Sequence, residues 1–411
     1  MPLNHLYSRA RAQLIARAVR QRFPRDRPNL PILYLPGIIG VKLYDRRHHQ
    51  YVWGSAQGIL RRDPRHADYR LRTEPWGAID AIDDAVLANE CLHAFPIIPG
   101  VLETLVTAEL RQVLVDALDY QEGRDLFFVG YDWRHDFRHL ARRLMQEIDR
   151  VRAIFGATQQ VIILGQSVAN LAVREVIRHG PPLYRDAIAK WYAFGPTWRG
   201  TYNALHMLRD GYYPASRRFF GFTAEDAYSY PAAFQLLPHD ARLVDARGNG
   251  IDFDLQRAES WLEHGLGPSS LTKADLPELQ RRLDHTAANR KRVAGEDAFD
   301  ARVRQTWFAG ARNHAVTAAV AHPDGALVTE KAIRAHRPQI ADQVLARGDD
   351  HLPLSHLTDA PCGPLVTDAA AIPYGESYVH IGQPRDHRAI INATATLSTL
   401  AVDIAAVRTY G

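Results

Sequence analysis

Short apolar segments alternate with helical patterns along much of the chain, and this alternation restricts the fold more than any other feature of the sequence. Each apolar segment ends abruptly at a polar or glycine-rich turn, as in "LPILYLPG" near residues 30–37 and "QVIILGQS" near 160–167. Segments of this length, bounded by turns, are typical of buried strands. Because helices lie between them, the pattern predicts an α/β fold with a mostly parallel sheet flanked by helices.

The alternation extends over most of the chain. The helical patterns place apolar residues three and four positions apart, as in an amphipathic helix. The predicted strands are "LPILYLPG" (30–37), "DLFFVGYDW" (125–133), "QVIILGQS" (160–167), "KWYAFGPTWRG" (190–200), "QTWFAGA" (305–311) and "ESYVHIGQ" (376–383). The predicted helices are "VLETLVTAELRQVLVDALDYQ" (101–121), "FRHLARRLMQEIDRVRAIFG" (137–156) and "DHRAIINATATLSTLAVDIAAVR" (386–408).

Two stretches interrupt the alternation and therefore predict insertions. Residues 201–304 are rich in Tyr, Phe and Gly and continue into charged helical segments; because the stretch is too long for a loop, it predicts an inserted helical cap. Residues from about 53 to 100, which contain Trp76, predict a smaller lid-like insertion. The expected core is formed by residues 1–200 and 305–411, on either side of the cap.

The charge of the chain argues against a nucleic-acid partner. Its 411 residues include 50 basic and 46 acidic side chains, which gives a formal net charge of +4. Almost all the basic residues are Arg, and Asp and Glu are interspersed with them, so no surface dedicated to nucleic acid is expected. With 46% hydrophobic residues, the chain can bury a large core.

Neither the cysteines nor the amino-terminal segment indicates secretion. Cys91 and Cys362 are too few for a disulfide framework, and we expect both to be reduced. Residues 1–28 place arginines in an amphipathic pattern but lack the apolar core of a signal peptide. No apolar run reaches the roughly 18 to 20 residues that span a bilayer. We therefore expect a cytoplasmic protein, for which a peripheral membrane contact stays open.

The most informative motif is Gly165-Gln166-Ser167-Val168-Ala169, at the junction of a predicted strand and a predicted helix. A nucleophile elbow lies at such a junction, and its tight turn requires small neighbours. The usual pattern is Gly-x-Ser-x-Gly, to which Ala169 adds one methyl group. Ser167 could instead cap the following helix, as serine commonly does. The local pattern leaves both roles open.

The last third of the chain offers the other two groups that a nucleophilic serine needs. A histidine has to accept the serine proton, and a carboxylate has to orient that histidine. Asp349 or Asp350 follows a predicted strand, and His387 precedes the last predicted helix. The order serine, acid, histidine is that of hydrolases built on a parallel sheet. The alternative bases are His351, His356 and His380, of which His380 is expected to be a packed core histidine.

Ordered motifs are spread over most of the chain. They are "LPGIIGVKL" (35–43), "WGS" (53–55), "GYDWRHD" (130–136), "GQSVAN" (165–170), "FGPTWRGT" (194–201), "PAAFQLLP" (231–238), "GDDHLPLSHL" (348–357) and "DHRAIINATATLSTL" (386–400). In number and order they resemble the motifs of the lecithin:cholesterol acyltransferase family, which includes lysosomal phospholipase A2 and phospholipid:diacylglycerol acyltransferases.

This resemblance implies an α/β-hydrolase fold with a cap and a lid. It also implies a serine-dependent lipid ester hydrolase or acyltransferase, whose substrate is an acyl ester or lipid-like molecule and whose acceptor is water or an alcohol. Carried over by position, it implies Ser167 as nucleophile, Asp349 as acid and His387 as base. The backbone amides of Ile38 and Val168 would form the oxyanion hole. No cofactor or metal is implied, and the oligomeric state is not indicated.

The chain also departs from the family at five positions. The elbow has Gln166 where the family has histidine, and the acid loop has Asp350 and His351 where the family prefers glycine and threonine. Ala169 and Asn170 replace two glycines. Two other functions therefore stay open: acyl transfer or ring closure on a carrier-bound or polyketide-like intermediate, and lipid or partner binding by a hydrolase fold with an idle serine.

Two further features have alternative interpretations. His135 and His139 are spaced like metal ligands on a helix, but no ligand cluster accompanies them, and the pair predicts a solvated helix face instead. The insertions are rich in Trp, Tyr, Phe, Leu and Ile, which would suit either an acyl-chain tunnel or an ordinary satellite core.

Overall fold

The computed structural model of the protein describes most of the chain. Much of the predicted lid-like insertion at 53–100, including Trp76, lies outside the described residues, as do two short parts of the predicted cap. The described residues are 3–23, 29–55, 70–71, 85–98, 102–212, 221–294, 301–382 and 386–410.

The described strands form one large sheet and several small ones. They are β1 (Ile32–Leu35), β2 (Val41–Asp45), β3 (Gln50–Trp53), β4 (Val86–Cys91), β5 (Ala94–Ile98), β6 (Leu102–Leu105), β7 (Leu126–Phe128), β8 (Val161–Gln166), β9 (Ile188–Phe194), β10 (Leu243–Val244), β11 (Gln305–Gly310), β12 (Asn313–Val316), β13 (Ala319–Val320), β14 (Leu345–Gly348), β15 (Leu365–Val366) and β16 (Tyr378–Gly382).

Helices connect the strands and cover the large sheet. The described α-helices are α1 (Leu3–Arg22), α2 (Ala108–Leu118), α3 (Phe137–Phe155), α4 (Ala169–His179), α5 (Pro182–Arg185), α6 (Tyr202–Asp210), α7 (Ala224–Ala227), α8 (Pro231–Gln235), α9 (Ala258–Glu263), α10 (Leu276–Ala294), α11 (Glu330–His336), α12 (Ala341–Val344), α13 (Ser355–Thr358) and α14 (Thr394–Tyr410). Short 3-10 helices lie at Lys273–Asp275, Pro338–Ile340, Ala369–Ala371 and Arg388–Asn392.

The large sheet has seven strands in the order β15-β16-β11-β9-β8-β1-β7, and every pair in it is parallel. All the strands predicted from the sequence belong to this sheet, so the predicted α/β class is confirmed. Because the strands are parallel, their carboxyl ends meet at one edge of the sheet. Ligands and reactive groups of such folds gather at that edge.

The sheet lies between two layers of helices. Leu33 and Leu35 of β1 belong to the buried cluster that includes the apolar faces of α3 and α4. Ile32 and Tyr34, which alternate with them, belong to the cluster that includes α1, α2 and α14. Since successive side chains of a strand point to opposite faces, both faces of β1 are covered. This double burial explains why the central strands are almost continuously apolar.

The predicted helix over residues 101–121 is partly wrong. Residues Leu102–Leu105 form β6, which pairs antiparallel with β5, and the helix begins only at Ala108. The carbonyl oxygen of His93 accepts hydrogen bonds from the N–H groups of Val106, Thr107 and Ala108. Strand pairing and these bonds determine the start of the helix, and neither is visible in a periodicity of apolar residues.

The regular elements between β9 and β11 are mainly helices where the structure describes them. They include α6 to α10, and α10 packs against α8 and against α4 of the core. Residues 213–220 and 295–300 lie outside the described part. The division into a core and a separate cap at 201–304 stays a prediction. Among the described helices, none is both long and apolar enough to cross a membrane.

A buried ion pair joins the sheet to the last helix. Nζ of Lys190 in β9 lies 2.7 Å from Oδ2 of Asp403 in α14, and both side chains are 0% exposed. Asp403 also accepts hydrogen bonds from the hydroxyls of Tyr378 at 3.0 Å and Thr306 at 3.3 Å. Lys190 donates a second bond to the carbonyl oxygen of Glu376 at 2.9 Å. The two buried charges are thus compensated by each other and by hydrogen bonds, as burial of an ion pair requires.

Replacing Lys190 with Met should leave Asp403 buried without its cation. We expect the free energy of unfolding to fall by about 3 to 5 kcal/mol, measured by urea denaturation followed by circular dichroism. The double variant Lys190→Met/Asp403→Asn removes both charges and should lose less than the single variant. A single variant as stable as the wild type would contradict the expectation.

Candidate active site

Ser167 lies in a strained turn between β8 and α4. Its φ of +54° is a left-handed conformation, which residues other than glycine adopt at a cost in free energy. Its N–H donates to the carbonyl oxygen of Phe194 in β9 at 2.9 Å, which fixes the turn against the sheet. The N-cap of α4 is Val168, so the alternative role of Ser167 as the helix cap is wrong.

The turn is possible because two of its neighbours have no side chain. A Cβ atom on Gly37 would lie 3.0 Å from the Cβ of Ser167, and one on Gly165 would lie 2.3 Å from Oδ1 of Asn170. Ala169 is 0% exposed, so its methyl group is packed inside the protein. The extra methyl at this position of the motif is therefore compatible with the strand, turn and helix of a nucleophile elbow.

The two unusual polar residues beside the serine are both hydrogen-bonded. Nδ2 of Asn170 donates to the carbonyl oxygen of Ser167 at 3.0 Å, and its Oδ1 accepts from Nε1 of Trp191 at 3.0 Å. Oε1 of Gln166 accepts from the hydroxyl of Tyr34 at 2.6 Å. These bonds connect the elbow to β1 and β9. Gln166 and Asn170 thus support the turn.

Ser167, His387 and Asp349 meet at the carboxyl edge of the sheet. Nε2 of His387 lies 3.0 Å from Oγ of Ser167, and Nδ1 lies 2.8 Å from Oδ2 of Asp349. His387 is 5% exposed and Asp349 1% exposed, whereas Ser167 is partly exposed. The imidazole thus lies between a hydroxyl that a substrate can approach and a carboxylate that water does not reach. This is the arrangement in which a histidine can accept a serine proton.

The charge of Asp349 favours a protonated His387. Burial alone lowers the pKa of His387, but the charge and hydrogen bond of Asp349, together with the charges of Asp350 and Asp386, outweigh that effect. The pKa therefore lies above the 6.5 of an unperturbed imidazole. Burial likewise raises the pKa of Asp349, but the positive charge and hydrogen bond of His387 bring it below the ordinary value. A proton taken from Ser167 would therefore form a stabilised imidazolium, while Asp349 stays ionised.

The backbone of the acid loop fixes the carboxylate of Asp349. Its Oδ1 accepts from the N–H groups of His351 at 3.0 Å and Leu352 at 2.7 Å. This leaves Oδ2 for His387. The carboxylate is therefore oriented by its own loop, independently of the imidazole that it contacts.

The alternative acid and the alternative bases that the sequence offered do not occupy the positions of Asp349 and His387. Oδ1 of Asp350 accepts from the backbone N–H of His387 at 3.0 Å, while the ring contacts Asp349. The ring of His351 is stacked on that of His387, with centroids 4.8 Å apart. His356 lies in α13, and His380 is buried in β16 with its ring 5.5 Å from that of Phe308, as expected of a core histidine.

Gly195 is a site residue that the sequence reasoning missed. It follows β9 directly and has a φ of +51°. A Cβ atom there would lie 2.5 Å from Cε1 of His387 and 2.8 Å from Nδ1. The imidazole can thus occupy its position only because residue 195 has no side chain. A glycine at the end of the apolar run 190–194 was the available signal, but it did not reveal which side chain would lie against it.

Three aromatic side chains hold the loop between β1 and β2, which lies beside Ser167. The hydroxyl of Tyr131 donates to the carbonyl oxygen of Pro36 at 2.7 Å. Nε1 of Trp53 donates to the carbonyl oxygen of Ile39 at 2.8 Å, and Nε1 of Trp133 donates to the carbonyl oxygen of Val41 at 3.1 Å. The "WGS" and "GYDWRHD" motifs therefore supply donors that fix the backbone of this loop, and a sequence alone does not show this role.

Ile38 and Val168 lie on the two segments next to Ser167. Ile38 belongs to a turn in which the N–H of Gly40 donates to the carbonyl oxygen of Gly37 at 3.1 Å. A Cβ on Gly37 would contact Ser167, so Ile38 directly follows a residue that lies close to the serine. Val168 begins the turn of α4. Their assignment as oxyanion-hole donors stays a prediction.

The predicted solvated helix face at His135 is wrong. His135 is only 5% exposed and precedes α3, and its ring stacks on that of His139 with centroids 4.8 Å apart. The expectation failed because α3 begins at Phe137, with Asp136 as its N-cap. In the described part of the chain, no group of three or more His, Cys, Asp or Glu side chains could hold a metal ion. Cys91 and Cys362 are free and buried.

The parallel sheet with Ser167 at the end of β8 is that of an α/β-hydrolase fold. A chain of the crystal structure of the Tle4–Tli4 complex is similar to this one, with a TM-score of 0.55 over 94% of this chain and 99% of that chain. The two are 13% identical, so the similarity shows the fold alone. No protein-family profile matches the chain, and a search of curated proteins found no match.

Replacing Gly195 with Ala should displace the ring of His387. We expect the low-field proton resonance of the bond between Nδ1 and Asp349 to be lost or shifted, measured by proton NMR and assigned with His387→Gln. Gly123→Ala is the matched control, since Gly123 also has a positive φ but its Cβ would have nothing within 4 Å. Both variants should lose on the order of 1 kcal/mol to backbone strain. An unchanged resonance in Gly195→Ala would show that the ring tolerates the methyl group.

Proposed function

We propose that the protein is a serine-dependent acyl hydrolase or acyltransferase that acts on lipid-like esters, with Ser167 as nucleophile, His387 as base and Asp349 as acid. The observation that carries the proposal is the position of His387, 3.0 Å from Oγ of Ser167 and 2.8 Å from Oδ2 of Asp349. The positive φ of Ser167 supports it further, because strained backbone persists mainly where function requires it. The strained backbone at Ser167 also favours an enzyme over a binding protein.

The proposed reaction has two halves. His387 takes the proton of Ser167 as Oγ attacks the ester carbonyl, and the N–H groups of Ile38 and Val168 stabilise the oxyanion, by about 3 kcal/mol per donor. The imidazolium then returns the proton to the departing alcohol, which leaves an acyl-enzyme. Next, water or an acceptor alcohol gives its proton to His387 and attacks the acyl group, and Ser167 is released with its proton restored.

The proposed substrate class is an ester with an apolar acyl chain. The motifs that resemble the lecithin:cholesterol acyltransferase family support this class. An aromatic cluster lies behind the loop at Ile38: Trp53 and Trp133, which hold that loop, have ring centroids 5.7 Å apart, and Phe222 lies 6.1 Å from Trp53 and 5.8 Å from Trp133. These three side chains are buried against one another, so the cluster is a packed core that supports the loop. Tyr212 stacks on Phe222 at 5.6 Å.

A fluorophosphonate probe tests the nucleophile directly. We expect it to label Ser167, as located by peptide mass mapping, and not to label a folded Ser167→Ala variant. Asp349→Asn should slow labelling by about 10⁴-fold, because the imidazole loses the carboxylate that orients it and stabilises its charge. Asp359→Asn, whose side chain is 61% exposed, is the matched control and should label normally. A folded wild-type protein that stays unlabelled would overturn the proposal.

The labelling rate should depend on pH in a defined direction. Only a neutral His387 can accept the serine proton, and its pKa lies above the ordinary value because Asp349, Asp350 and Asp386 together outweigh the effect of burial. The rate should therefore fall as pH decreases through that raised pKa.

If an acyl-enzyme forms, the ratio of acyl transfer to hydrolysis should be the same for different leaving groups. p-Nitrophenyl and other aryl esters of one fatty acid would all form the same intermediate, so the ratio of acyl transfer to hydrolysis at a fixed alcohol concentration should not depend on the leaving group. The ratio is measured by quantifying ester and free acid by mass spectrometry. A ratio that changes with the leaving group would exclude a common intermediate, and free acid alone at every alcohol concentration would identify a hydrolase.

A further inference from the structure

We propose that Asp350 and His351 form a second Asp–His pair, which positions the base His387 and sets the pH range in which that base can accept a proton. The proposal rests on the proposed function, in which His387 is the base. Asp350 and His351 are positioning residues in this scheme, because they contact His387 and not the reacting hydroxyl.

Asp350 holds the backbone of His387. Its Oδ1 accepts from the N–H of His387 at 3.0 Å, and the same oxygen lies 2.6 Å from Nδ1 of His351. Asp349, one residue earlier, holds the ring of His387 through Nδ1. Two adjacent carboxylates therefore fix two different parts of one residue. Rotation or displacement of the imidazole requires breaking at least one of these contacts.

His351 covers one face of the imidazole. The two rings are nearly parallel, with an interplanar angle of 12° and centroids 4.8 Å apart. The Cε1 edge of His387 lies against Gly195, where no side chain intervenes. Contacts with Asp349, Ser167, His351 and Gly195 thus restrain the ring from several directions.

The loop that carries the pair is held in a strained conformation. Asp350 has a φ of +74°, which costs free energy for any residue other than glycine. Oγ1 of Thr201 donates to the carbonyl oxygen of His351 at 2.7 Å, and Nδ2 of Asn203 donates to that of Asp350 at 3.4 Å. A glycine at 350 would avoid the strain but would have no carboxylate for His387. The strain is therefore explained by the contacts that the side chain makes.

The pair changes its charge on protonation of His351. With His351 neutral, the pair has the single negative charge of Asp350, which favours the imidazolium form of His387. With His351 protonated, the charges of the pair cancel, and a cation lies against the ring of His387. Other groups that act on His387 are the charges of Asp349 and Asp386 and the hydroxyl of Ser167; Gly195, which follows β9, contributes none.

The test compares Asp350→Asn and His351→Phe by two readouts. NMR of protein labelled with ¹³C at histidine Cε1 follows the titration of His387, assigned with His387→Gln. The pH dependence of fluorophosphonate labelling follows its function. Asp350→Asn removes a negative charge and should move the His387 pKa and the labelling limb down by about one pH unit. His351→Phe keeps a stacked ring but removes the hydrogen-bond partner of Asp350, whose negative charge then acts on His387 alone. The His387 pKa and the labelling limb should therefore move up, by roughly half a unit.

Two more variants separate charge from positioning. His351→Ala removes the stacked ring and should lower the labelling rate at its high-pH plateau by about tenfold, whereas His351→Phe should keep most of the plateau. Asp350→Gly relieves the backbone strain and should show the same downward shift, so the test holds even if Asp350→Asn fails to fold.

The outcomes distinguish this inference from the proposed function. Rates that fall uniformly while the His387 titration does not move would show a merely structural loop and overturn the inference. Shifts of the same sign in Asp350→Asn and His351→Phe would also overturn it. If the wild type is folded but never labelled, the proposed function fails, while the NMR titrations still decide whether the pair controls the charge of His387.

Discussion

The parallel direction of the central strands is the constraint on which the candidate site depends. Ser167 follows β8, Gly195 follows β9, and the loop with Ile38 follows β1, so three neighbouring strands deliver their next residues to one edge. His387, 220 positions after Ser167, comes to the same edge a few residues after β16. An antiparallel neighbour would have placed one of these segments at the opposite edge. The direction of the sheet thus brings together groups that are far apart in the chain.

Positions at that edge are then refined by hydrogen bonds from residues other than Ser167, His387 and Asp349. Tyr131 fixes Pro36, and Trp53 fixes Ile39, both through side-chain donors to backbone carbonyl groups. In the elbow, Asn170 donates to the carbonyl oxygen of Ser167, and Trp191 donates to the side-chain oxygen of Asn170. Each of these donors is buried or nearly so, and an unpaired buried polar group is costly, which keeps the bonds formed. A site built in this way has little freedom before a substrate arrives, as stabilisation of a transition state by fixed dipoles requires.

The sequence predicted the parts of the fold that depend on local patterns. Apolar runs such as that of β8 predict a buried strand because both faces of the strand are covered, and turn residues define its end. The predicted start of the helix that contains α2 was wrong, because residues Leu102–Leu105 pair as a strand in spite of their helical periodicity. The burial of His135 was missed for a similar reason, since it precedes the helix on which it was placed. In the candidate site, chain order could suggest Ser167, Asp349 and His387, but the contact of Gly195 with the imidazole depends on tertiary structure alone.

Backbone strain is concentrated around the candidate site. Of the described residues other than glycine with a positive φ, Ile39, Ser167 and Asp350 all belong to segments that meet there. Each such conformation costs on the order of 1 to 3 kcal/mol, and it persists only when the surroundings determine it more strongly than the local preference. Here the surroundings are identifiable: Trp53 holds the carbonyl of Ile39, Phe194 accepts from the N–H of Ser167, and Asn203 donates to the carbonyl of Asp350. The large core of the sheet and its helices offsets this cost. These contacts at the edge of the sheet therefore keep a hydroxyl, an imidazole and two carboxylates in place.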